Sequence, residues 1–230
     1  MEKTWDPVNV APLAAEIDTR IQALPVRNSP NVRAVRREYS KRLMNAPADF
    51  VLALATTLLH AYGYRGTSSI AYELISYHSP AFMSLDVTKI EALGQGIDSW
   101  HSVDGFARLI SGPAWLEGLI SHDVIHRWAL SPDLWWRRAA LVSTVALNVR
   151  SHGGYGDVDR TLAVCRMLVT DHEDMVVKAL SWALRQLVVH DPTAVRAFLS
   201  EHEGQLAARV RREVRNKLET GLKNPRRSTQ

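Results

Sequence analysis

The 230 residues include a single cysteine, Cys165, so no internal disulfide framework can staple the fold. No apolar run approaches a membrane span; the longest, from about Phe50 to Leu59, has roughly half the required length. The opening MEKTWDPVNV has no basic stretch followed by an apolar one, which argues against a secretory signal. Alternating polar and apolar runs of strand length are missing, as are an HExxH pair, a nucleophile elbow and a cysteine-protease signature. These absences predict a soluble, cytoplasmic chain without membrane contact, with no disulfide and few or no strands.

The composition supplies a core of its own, 46% hydrophobic with 23% charged, outside the range of disordered chains. Apolar residues recur at three and four positions almost throughout. They predict helices over about 8–23, 30–43, 47–62, 66–78, 86–96, 99–111, 114–128, 132–149, 156–169, 173–190, 192–200 and 204–220. Ser29-Pro30, Ser131-Pro132 and Asp191-Pro192 each place a capping side chain before a proline at a helix start. Linkers are short, the longest near Ser151–Gly156, and none reads as a domain boundary. The expected architecture is all-α: an α-solenoid of antiparallel HEAT-like repeats with a concave face, forming one domain over 1–230 with a flexible basic tail from about 221.

Charge is unevenly spread. The net charge is only +4, yet Arg209, Arg211, Arg212, Arg215, Lys217, Lys223, Arg226 and Arg227 crowd the last stretch. An anionic partner such as nucleic acid fits this cluster, and so does a merely solvated helix face. His122 and His126 have a metal-compatible spacing but no third ligand, so no metal is expected. Gly153-Gly154-Tyr155-Gly156 lacks the context of a phosphate loop and reads as a turn, and Cys165 reads as packing.

Three helical stretches each combine tryptophan with charge. In Asp98-Ser-Trp100-His-Ser-Val-Asp104, Trp100 and Asp104 share a helix face. In Asp133-Leu-Trp135-Trp136-Arg137-Arg138-Ala-Ala, Arg138 sits beside small residues that allow close packing, from which it is expected to reach outward. In Lys178-Ala-Leu-Ser-Trp182-Ala-Leu-Arg185, cations flank an indole by one turn on each side. The separations, 34 residues from Asp104 to Arg138 and 44 on to Trp182, suit two-helix repeat units. Taken singly, each feature has a plain alternative, as core tryptophan or dipole-complementing aspartate.

In order and spacing, SWHSVD, DLWWRRAAL and KALSWALRQLVVHDPTAV resemble the signature helices of the AlkD family of DNA alkylation-repair glycosylases, over about Pro30 to Leu218. The resemblance implies HEAT-like repeats that cup duplex DNA, and release of cationic purines alkylated at N3 or N7, such as 3-methyladenine and 7-methylguanine, without burying the base. By motif, Asp104 matches the catalytic aspartate, Trp100 and Trp182 the lesion-flanking aromatics, and Arg138 a phosphate-contacting arginine, with Lys178 and Arg185 as further DNA grips. No cofactor is implied, and a monomer is expected.

Three departures stand out. The family's N-terminal tyrosine has no counterpart, since no tyrosine precedes Tyr39 and the corresponding stretch reads Ala23-Leu-Pro-Val-Arg-Asn28; and residue 101 is His, with Trp136 as an added indole. A catalytically silent binder of distorted or branched DNA is therefore the alternative, with a protein–protein scaffold behind it.

Overall fold

The computed structural model describes residues 5–62 and 68–225. Among these every regular element is helical, in agreement with the pattern of the sequence. Arg226 and Arg227 of the basic cluster, and the first residues of the helix expected over 66–78, lie outside the described residues.

The chain divides into two compact units, Met1–Ile97 and Asp98–Gln230. The first holds α1 (Ala11–Gln22), α2 (Ser29–Arg42), α3 (Ala48–Tyr62), α4 (Ser68–Ser76), α5 (Ser79–Met83) and α6 (Val87–Leu93). Here α3, with Phe50, Val51, Leu54, Ala55, Leu58 and Leu59 buried, packs against α1, α4 and α5. Prolines sit in the first turns of α1, α2 and α5, where the missing amide costs nothing.

The second unit is built around α10 (Leu134–Asn148). Asp133 caps it by accepting from the amide of Trp135 at 2.8 Å, and every residue from Arg138 to Asn148 is buried. A stretch buried on all its faces, its polar Ser143, Thr144 and Asn148 included, needs neighbours on every side. They are α7 (Trp100–Phe106), α8 (Gly112–Leu116), α9 (His122–Ala129), α11 (Val158–Met167) and α12 (Asp174–Leu187). Beyond these, α13 (Pro192–Glu201) and α14 (Ala208–Thr220) pack on α12 and on each other. Residues 221–225 stay with α14: Lys217 Nζ donates to the Gly221 carbonyl at 2.7 Å and Asn216 Nδ2 to that of Lys223 at 2.9 Å.

The structure departs from the expected boundaries where the chain leaves α7. The helix expected over 99–111 changes at Ala107 into a π-helical turn, Ala107–Ser111, and the helix expected over 114–128 is broken into α8 and α9. Pro113 accounts for the first change. It has no amide, and in a regular α-helix its ring would press on the carbonyl of Leu109; widening the turn relieves both. Gly118, at φ 75°, accounts for the second.

That junction is clamped to α10. Ser111 Oγ and Ser143 Oγ are hydrogen-bonded at 2.7 Å, and a Cβ placed on Gly112 would lie 2.7 Å from Ala146 Cβ and 2.7 Å from the Ser143 carbonyl oxygen. Only glycine allows that approach. Gly112→Ala is expected to lose about 1–3 kcal/mol of stability in urea denaturation, whereas Gly204→Ala, with nothing within 4 Å of its added methyl, stays near wild type. Equal stability of the two variants would contradict the packing.

Candidate functional site

The first turn of α7 is fixed by a reciprocal cap. Ser99 Oγ accepts from the Ser102 amide, and Ser102 Oγ accepts from the amides of Ser99 and Asp98, both at 3.2 Å. Trp100 is thereby the first residue of the helix. It is 47% exposed, with its ring stacked on His101 at a centroid distance of 3.4 Å. One turn later on the same face comes Asp104, whose side chain retains 19% of its exposure. The spacing that the sequence suggested is thus realised: an open indole beside a half-buried carboxylate.

Arg138 does not reach outward as expected. It points from α10 onto Asp104, with Nε donating to Oδ1 and Nη2 to Oδ2, each at 3.0 Å. Its remaining terminal nitrogen, Nη1, donates to the Met175 carbonyl at 2.6 Å, and the side chain is only 6% exposed. Ala139 and Ala140 follow it on α10, and α7 packs against that helix and presents Asp104 to the guanidinium. This fork-to-fork pair ties α7, α10 and α12 together at one point. Burial pushes the pKa of Asp104 above its ordinary value; Arg138, and more weakly Arg108 and His101, pull it back, but burial prevails.

The third motif contributes unequally. Trp182 on α12 is half-buried, and the guanidinium of Arg108 lies 5.9 Å from its ring centroid. Lys178, one turn earlier, is 40% exposed and bonds Asp174 at 2.6 Å; Asp174 in turn holds Arg209 of α14 at 3.0 Å. Arg185 turns inward instead. Its Nε donates to Ser181 Oγ at 3.2 Å beside the buried Glu213, burial lowers its pKa, and only 16% of the side chain is exposed. Arg185 thus joins α12 to α14, and Lys178 is the more accessible of the two flanking cations.

One contributor escaped the reading of the sequence, and another was noted there without a role. Arg108 follows Asp104 by four residues, so the i, i+4 spacing that joined Trp100 to Asp104 could have been carried one turn further. Trp136 is the second. Its ring meets Phe106 at 5.8 Å and Trp128 at 4.9 Å, an aromatic wedge beneath the end of α7. Among the described residues no cluster of three metal-ligating side chains occurs, and His122 is engaged by the Trp115 indole N–H at 2.8 Å.

A carboxylate pinned by an arginine, with an exposed indole on its own helix and a second aromatic motif on α12, accords with the motif resemblance, and a comparison with family models decides the matter. Residues 2–218 match the model described as DNA alkylation repair enzyme. The chain belongs to that family. Neither the curated proteins nor the solved structures yielded a match. The match runs through both units, and membership places the chain in DNA alkylation repair. No helix among the described residues is long and apolar enough to cross a membrane.

Removing the arginine exposes what it offsets. Arg138→Met strands a buried carboxylate and is expected to cost about 3–5 kcal/mol of stability near neutral pH. Part of this returns on acidification. An acid whose folded pKa lies above its unfolded one destabilises the fold while ionised, and the penalty lifts as pH falls through the folded value. Urea denaturation over a pH series checks this; a variant as stable as the parent, with the same pH slope, would contradict it.

Proposed function

We propose that the protein is a monofunctional DNA glycosylase that hydrolyses the N-glycosidic bond of cationic N3- or N7-alkylated purines in duplex DNA. The observation that carries this reading is the Asp104 carboxylate, held in a fork by Arg138 and still 19% exposed, on the same helix as the open Trp100 indole.

The chemistry fits that group. Alkylation at N3 or N7 gives the purine a positive charge, so it departs with little need for a proton donor. The sugar then carries oxocarbenium-like positive charge, which a fixed anion in a partly excluded site stabilises. Two carboxylate oxygens offer about four lone-pair sites, so the fork leaves capacity to order a water for attack at C1′. The indoles of Trp100 and Trp182 add cation–π and sugar contacts, on the order of 0.5–2 kcal/mol each, that favour a charged lesion over a neutral base. Lys178 supplies positive charge at the rim, with Arg185 and Arg138 behind it.

The reading extends to a monomer whose helices form a HEAT-like array with a concave DNA-binding face, working on the lesion without burying the base and so tolerating bulky adducts. It requires no cofactor.

One observation favours the silent binder of distorted or branched DNA instead. Tyr39, the first tyrosine in the chain, is wholly buried, with its hydroxyl donating to Glu16 at 3.0 Å, and burial pushes its pKa up to about 12. It cannot serve as a tyrosine beside the sugar.

Release of 7-methylguanine and 3-methyladenine from methylated duplex DNA separates the two. The glycosylase reading predicts release by the wild type, a fall in rate of order 10² or more in Asp104→Asn, and retained DNA binding by that variant. A folded, DNA-binding wild type that releases neither base leaves only the silent binder.

A further inference from the structure

A DNA enzyme of this kind needs a cation on the phosphodiester chain beside its carboxylate, and the arginine that sequence motifs assign to that task is spent. Arg138 is 6% exposed, and its Nε, Nη1 and Nη2 already donate to Asp104 and Met175. Two of its five N–H groups remain, but in a side chain this buried they do not face a phosphate chain passing outside.

Arg108 has the opposite situation. It emerges from the π-helical turn one turn after Asp104, on the exposed side of the chain. Among the described residues no ion pair or hydrogen bond engages it; its guanidinium lies 5.9 Å from the ring centroid of Trp182, and its charge acts on Asp104. At this distance and at an exposed site the contact with Trp182 is weak. A phosphate offers a far better partner, since a guanidinium matches it with two parallel hydrogen bonds.

Resting on the glycosylase reading, we propose that Arg108 is the side chain that binds a backbone phosphate next to the lesion, and that in doing so it leaves the face of Trp182. Two tasks are then divided between two arginines. Arg138 holds the carboxylate from inside, and Arg108 holds the DNA from outside. The movement also frees the Trp182 indole, which the guanidinium approaches to 5.9 Å, for contact with the damaged nucleotide. The widened turn that Pro113 imposes on residues 107–111 sets the direction in which Arg108 leaves the helix.

The test uses the full-length chain carrying Asp104→Asn, so that binding is read without turnover, and an unmodified duplex of defined length as the probe. Affinity is measured against salt concentration for this parent and with Arg108→Gln or Arg108→Lys added. Each phosphate contact contributes about 0.9 to the slope of log K against log salt for duplex DNA. Arg108→Gln is expected to bind several-fold more weakly with the slope reduced by about one contact, while Arg108→Lys keeps the slope. Gln and Lys variants that both match the parent in affinity and slope would overturn the assignment, as would a loss of affinity with no change in slope. If the parent itself does not bind DNA, this proposal falls together with the glycosylase reading. If it binds and Arg108→Gln lowers the slope but the wild type releases no alkylpurine, the phosphate contact stands without its catalytic setting.

Discussion

Everything at the site depends on one ion pair. Asp104 and Arg138 come from helices 34 residues apart, and their two hydrogen bonds of 3.0 Å fix where α7 lies on α10. Burying a carboxylate is costly, and the guanidinium offsets much of that cost through charge and geometry together. The offset is incomplete, because burial still holds the pKa of Asp104 above its ordinary value. A carboxylate so placed suits the proposed chemistry, in which a developing positive charge supplies what the protein withholds.

The fold around the pair restricts its freedom. On one side Ser111, Ser143 and Gly112 press the turn after α7 onto α10 without room for a methyl group. On another, Phe106, Trp128 and Trp136 fill the space beneath α7 with aromatic rings. Met175 then lends a backbone carbonyl from α12, which also carries Trp182. The carboxylate, its counter-cation and the second indole are thus mounted on three helices with a shared core, so the site is held by packing as much as by charge.

The periodicity of the sequence was enough to show that the chain is helical and to approximate most helix spans, because apolar spacing directly records which face is buried. It missed the break at Ala107, where the pattern of buried residues continues across a change of helix type caused by one proline. Asp104, Trp100, Arg138 and Trp182 were legible as a set through their spacing and their likeness to a family, to which the chain does belong. The direction of Arg138 was not legible. A side chain flanked by small residues can project outward or fold onto a close neighbour, and only the partner helix decides. Arg185 shows the same limit: its spacing from Trp182 suggested a surface grip, whereas Ser181 and Glu213 draw it inward.

The account stands or falls on an ionised, buried carboxylate driving cleavage. The most direct measurement is the single-turnover rate of 7-methylguanine release across pH, after subtracting spontaneous depurination. The account predicts a rate that falls on acidification, with a midpoint above the ordinary carboxylate value because burial raises that of Asp104. A rate that stays level through this range while the protein remains folded would contradict it.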